Sequence, residues 1–148
     1  MNLTEKISED IKQAMKQQDK AKLEALRAVK AAILLANTET GAGQLSEADE
    51  LKLLQKLVKQ RKEAAEIYRQ QDRKDLYDTE VFQASVIEKY LPEQMSEEEL
   101  ENILKVIIKQ AGAVSSKDMG RVMGIASKQL SGKADNKLLA EKVKRLLG

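Results

Sequence analysis

One proline, Pro92, stands in a chain of 148 residues, and on both sides of it apolar residues return every three or four positions from Leu3 to Leu147. That spacing lays a single apolar stripe along an α-helix, and long stretches without proline let such helices run. Ala, Leu, Glu, Lys and Gln dominate while aromatics reach only 3%, so strand-favouring residues are scarce. An all-α protein is expected. The chain is long enough for one sizeable core or two small bundles, and Pro92 decides for two. Residues 1–92 are expected to form a larger N-terminal helical domain and residues 93–148 a small C-terminal domain of three helices.

Local signals divide the chain further. Leu3, Ile7, Ile11 and Ala14 or Met15 predict a helix over 3–17, and Asp19 is placed to cap the next, where Leu23, Leu26, Val29 and Ile33 keep the period. The pattern fades at "NTETGAGQL", read as a loop. Ser46 followed by Asp49 resembles a capping box and opens a long helix with Leu51, Leu54, Val58, Ala65 and Tyr68 on one face. "QDRKD" interrupts the pattern at 71–75, after which Tyr77, Val81, Ala84, Ile87 and Leu91 resume it until Pro92 stops the helix. Ser96 with Glu99 forms the next capping box, with Glu97 and Glu98 where the helix dipole favours anions. Leu100, Ile103, Leu104, Ile107, Ile108 and Ala111 make the following stripe, ended by Gly112. Helices over about 117–130 and 136–147 complete the chain.

The chain holds no Cys and no His. Disulfides, thiolate chemistry, the commonest general base and the commonest metal ligand are therefore excluded. The carboxylate pairs Glu97/Glu98 and Glu63/Glu66 read as solvated helix charges with no second group to separate their pKa values. No phosphate-cradling glycine loop, dinucleotide fingerprint or serine elbow occurs, so no catalytic residue, cofactor or metal is expected. The stretch "MNLTEKISED" is charged, and no apolar run reaches signal or membrane-span length; a cytoplasmic location without a membrane partner is the expectation.

The net charge of +2 hides an asymmetry. From Ile103 onward ten basic residues face three acidic ones, a balance of +7, and the first 102 residues carry −5. An acidic first part and a basic last part suggest separate partners, the plain alternative being a solvated lysine-rich surface. Lys117, Arg121 and Lys128 align on one helix side, positioned to meet phosphates. Gly120 and Gly124 share a face of the same helix, each at a cost of about 0.5–1 kcal/mol relative to Ala. Either a close helix crossing needs the missing side chains, or a smooth face admits a nucleic-acid backbone. In "SGKAD", Gly132 suits the left-handed position after a helix and Asp135 suits a cap, but Lys133 has no such backbone duty. Flanked by Lys128 and Lys137 beside a helix N-terminus, it is either a phosphate contact or an ordinary surface lysine. Tyr68, Tyr77 and Tyr90 fall on or near apolar stripes, which favours core packing over base stacking.

"VIEKYLPEQMSEEEL", then "KDMGRVMGIASKQLSGKAD" and a terminal amphipathic helix, resemble the YqeY-like proteins, which share their C-terminal unit with the tail domain of GatB, the B subunit of the glutamine-dependent aspartyl/glutamyl-tRNA amidotransferase. "LRAVKAAI", "LVKQRKEAAEIY" and "DRKDL" resemble the family's N-terminal helical region, so nearly the whole chain is covered. The resemblance implies two all-helical domains and, in the tail, a contact with the body of transfer RNA, carried here onto Lys117, Gly120, Arg121, Gly132, Lys133 and Lys137, to which the charge alignment adds Lys128. Gln83 stands where a family carboxylate is expected. The family is commonly associated with carbon–nitrogen ligase activity using glutamine as amido donor, which in the larger enzyme resides outside the tail. Three expectations follow: a non-catalytic RNA-binding accessory factor, with tRNA as partner; a protein-interaction module docking a tRNA-amidation or translation protein through its N-terminal helices; or an amidotransferase-like enzyme in its own right, which requires a pocket with convergent polar groups.

Overall fold

The computed structural model describes residues 2–40 and 43–148. Among them the chain is helical, without strands: α1 (Leu3–Lys16), α2 (Lys20–Thr40), α3 (Glu47–Gln70), α4 (Lys74–Glu88), α5 (Glu97–Ala111), a 3-10 turn (Ser116–Asp118), α6 (Met119–Gln129) and α7 (Asn136–Leu147). The all-α expectation holds. The chain divides into two compact units, Met1–Leu91 and Pro92–Gly148.

In the N-terminal unit the caps form where side chains permit them. Asn2 accepts from the Glu5 amide while Glu5 returns to the Asn2 amide, a complete capping box. Asp19 accepts from the Lys22 amide at 3.2 Å, and Ser46 from the Asp49 amide at 3.2 Å. α2 runs further than its fading stripe predicts, through "NTET" to Thr40. Thr38 stays helical by donating its hydroxyl to the Leu34 carbonyl. Gly41 and Ala42, within the expected loop, lie outside the described residues.

Two adjoining clusters make this unit's core. Ile7, Val29, Ile33, Leu54, Val58, Ala84 and Ile87 form one; Ala14, Ala25, Leu26 and Val86 form the other, with Ile11 and Tyr90 packed against both. α4 packs on α3 and also on α2, so it buries two sides. The buried surface is therefore wider than the expected stripe: Ala84 and Ile87 are buried as expected, Gln83 and Val86 are buried in addition, and Val81 is 42% exposed. α4 also ends at Glu88, four residues ahead of Pro92, the chain turning through Tyr90 N to Ile87 O at 3.0 Å. Ala14, not Met15, enters the core.

The C-terminal unit is a three-helix bundle around Leu100, Leu104, Ile107, Val122, Ala126, Leu130, Ala134, Leu139 and Val143. Ser96 caps α5 by accepting from the Glu99 amide, and Gly112 ends it at φ +65°.

Candidate nucleic-acid interface

α6 ends by donating Leu130 N to the Ala126 carbonyl, and Lys133 N closes a turn on the Leu130 carbonyl at 3.0 Å. Gly132 then takes φ +76°, a conformation costly for any side chain. It is buried, and its carbonyl accepts from Gln94 Nε2 at 2.6 Å. Next to it, the Lys133 carbonyl accepts from the Met95 amide at 3.1 Å. Ala134 is buried too, and Asp135 accepts from the Lys137 amide to start α7. Small residues therefore face inward while Lys133 projects outward and exposed. The stretches "PEQM" and "SGKAD", almost forty positions apart, are fastened to each other by these bonds.

Sequence reasoning missed Gln94, because nothing local in "PEQM" signals an amide bridging the Pro92 and Gly132 carbonyls. It also counted Gly132 among the contact residues. Burial removes Gly132 from any outer surface and leaves it the backbone duty of the corner.

Lys117, Gly120, Arg121, Gly124, Ile125 and Lys128 are all exposed, at positions that return to one side of α6 and the turn before it. A Cβ built on Gly120 or Gly124 meets no atom within 4 Å. The close-crossing explanation is therefore corrected: no neighbouring helix needs those side chains to be absent. Arg121 is 3.2 Å from Asp118, whose carboxylate also accepts from the Val114 amide at 3.0 Å. Those backbone donors and the guanidinium hold the Asp118 carboxyl below the usual carboxylate range.

The basic count needs correction as well. Lys142 is only 6% exposed, with Nζ 3.2 Å from Glu101 and 3.6 Å from Glu97, and Arg145 pairs with Glu101. Lys142 is thus neutralised within the bundle, and the exposed Arg145 is paired at its edge. The unit also begins ahead of Ile103 and includes Glu93, Glu97, Glu98, Glu99 and Glu101, so it carries ten basic and eight acidic residues, +2, and the N-terminal unit is neutral. Lys117, Lys128, Lys133 and Lys137 have no ion-pair partner among the described residues, and the same holds for the exposed Lys105, Lys109 and Lys144. The signal for Lys142 was present, since Leu139, Lys142, Val143 and Leu146 share the helical period of α7 and Glu97 and Glu101 are four apart on α5.

Of the tyrosines, Tyr90 packs against both N-terminal clusters and donates its hydroxyl to Asp10; burial and that carboxylate push its phenol above the usual range. Among the described residues no group of three or more acids is arranged to hold a metal ion, and no helix is long and apolar enough to cross a membrane.

Comparison with known proteins agrees over nearly the full length. The family model of the Yqey-like proteins matches residues 4–147. Altered inheritance of mitochondria protein 41, mitochondrial, from Pyrenophora tritici-repentis is 26% identical over 146 residues, spanning 97% of this chain and 80% of that protein. The relative's name places that protein in mitochondria, a different compartment from the cytoplasm expected above.

Proposed function

This chain belongs to the YqeY-like family, and from that membership and the exposed basic side of α6 we propose that it is an accessory protein that grips structured RNA, tRNA foremost, by its phosphates. One observation carries the reading. Gly120 and Gly124 expose bare helix backbone that no other part of the bundle occupies, between Lys117, Arg121 and Lys128. Two helix-weakening residues without an internal purpose suit a face approached closely from outside. Lys133 and Lys137 add cations at the corner where α7 begins. Contacts of this kind position a nucleic acid without reading its bases.

The test is binding of bulk tRNA to the intact protein and to the triple variant Lys128→Glu, Lys133→Glu, Lys137→Glu between about 50 and 200 mM salt. With four phosphate contacts, affinity falls roughly 50- to 150-fold across that range, and the variant loses most of both the affinity and the salt slope. Binding that ignores the reversals overturns the reading.

A second reading has its own observation. The N-terminal unit exposes adjacent apolar pairs, Leu34 with Leu35 on α2 and Val81 with Phe82 on α4, the kind of surface that meets a protein partner. Loss of RNA binding in the intact protein would move the search there.

A further inference from the structure

The N-terminal unit contains a cleft of about 710 Å³ between the start of α1, the start of α3 and the turn after α4. That volume suits a small molecule. Its ionic lining has both signs: Glu9, Asp10, Glu47 and Glu50 against Lys6 and Lys89. Among the described residues no ion pair joins any of these acids to either lysine, and Asp10 is engaged by the Tyr90 hydroxyl. Opposite charges thus open onto one space without neutralising each other. The partly exposed Leu3, Leu45 and Leu51 contribute apolar surface to the same space. Burial and the neighbouring Glu47 push the Glu50 carboxyl above the usual range.

A cation alone would leave the lysines unanswered, and an anion alone would meet four carboxylates. We propose that this cleft binds a small zwitterion of the amino-acid class, its ammonium taken by Glu47 and Glu50, its anionic end by Lys6 and Lys89, and its apolar spacer lying on Leu51. Charge-assisted contacts at both ends fix the orientation of such a ligand. The polar groups that converge here are what the catalytic expectation required of a pocket, but the lining is a recognition set: charges to grip two ends and an apolar floor between. The inference concerns residues of the N-terminal unit only and stands independently of the RNA reading.

Three probes of equal chain length separate the possibilities: 6-aminohexanoate, hexylamine and hexanoate. Each is titrated to about 10 mM into the intact 15N-labelled protein while backbone amide shifts are followed. The zwitterion is expected to saturate with shifts at Glu47, Glu50 and Tyr90, and to bind at least about tenfold more tightly than either single-charge probe. Glu50→Gln and Lys89→Gln should each weaken it several-fold while the amide spectrum stays that of the folded chain. Where either variant fails to fold, the exposed Lys6→Gln replaces it. Equal binding of hexylamine or of hexanoate, no saturable response to any probe, or full binding by the folded variants overturns the proposal.

Discussion

The ammonium of Lys142 is tolerable inside the C-terminal bundle because two carboxylates of α5 reach it. Such a group costs several kcal/mol to desolvate and recovers little beyond that from its partners, so replacing it by an apolar side chain of similar shape is often neutral or stabilising, whereas stranding it is not. Lys142→Met is therefore expected to leave stability unchanged or raise it, since Glu101 keeps Arg145. Glu101→Ala should cost about 2–4 kcal/mol, with only the exposed Glu97 remaining for the buried charge. Urea unfolding followed by circular dichroism separates the two, and equal losses would contradict the argument. Glu50 poses the opposite case. Its folded-state carboxyl is raised, so its contribution is present below the unfolded value and lost as pH rises through the folded one. Glu50→Gln should consequently raise the melting temperature at pH 7 by on the order of 1 °C, the group being only partly buried and so well screened. The gain should vanish at about pH 3, where the carboxyl is neutral in both states. The same substitution is expected to weaken the cleft's hold on the zwitterion several-fold, so added stability and weakened binding should appear together.

Helix by helix, what could be read in advance was what local chemistry decides. Asp19, Ser46, Ser96, Gly112 and Asp135 each act within a few residues of themselves, and each caps or ends a helix as its type and position predict. α4 was legible only in part: Ala84 and Ile87 of its stripe are buried, but the helix lies against both α2 and α3, which a one-faced stripe cannot express, so Gln83 and Val86 are inside as well and Val81 is out. The corner before α7 was half legible. Its glycine and its cap follow from backbone needs, but its attachment to Gln94 and Met95 is a long-range fact. Gly132→Ala should cost about 1–2 kcal/mol through the left-handed backbone alone. α6 offers the more informative experiment. With open space around both positions, Gly120→Ala and Gly124→Ala should each stabilise the helix by about 0.5–1 kcal/mol. If RNA approaches that face, the same pair of methyl groups should weaken tRNA binding in the stabilised protein. Tighter helix with unchanged binding would place the RNA elsewhere.

At the scale of the whole molecule, each unit owns its core, and the chain changes unit at Pro92. The sequence signs for this were the proline and the Ser96 cap after it; the apparent contrast in net charge was a poor guide, because the acids at the start of α5 belong with the lysines of α6 and α7. Bundles of about 60 residues bury a smaller share of their surface than larger domains and are correspondingly marginal. The C-terminal unit offsets this with the Gln94 and Met95 contacts and the Lys142 pairings, all internal to 92–148. A fragment starting at Pro92 keeps them all, whereas one starting at Ser96 loses the two that hold the "SGKAD" corner. The first fragment should therefore melt cooperatively and retain the salt-dependent tRNA binding of the intact chain. The second should lose stability by about 1–3 kcal/mol, two hydrogen bonds at roughly 0.5–1.5 kcal/mol each, and its tRNA affinity should fall in proportion to the unfolded fraction. Circular dichroism melts of both fragments beside tRNA titrations decide this. Binding lost from the longer fragment while it remains folded would show that the N-terminal unit takes part in holding RNA.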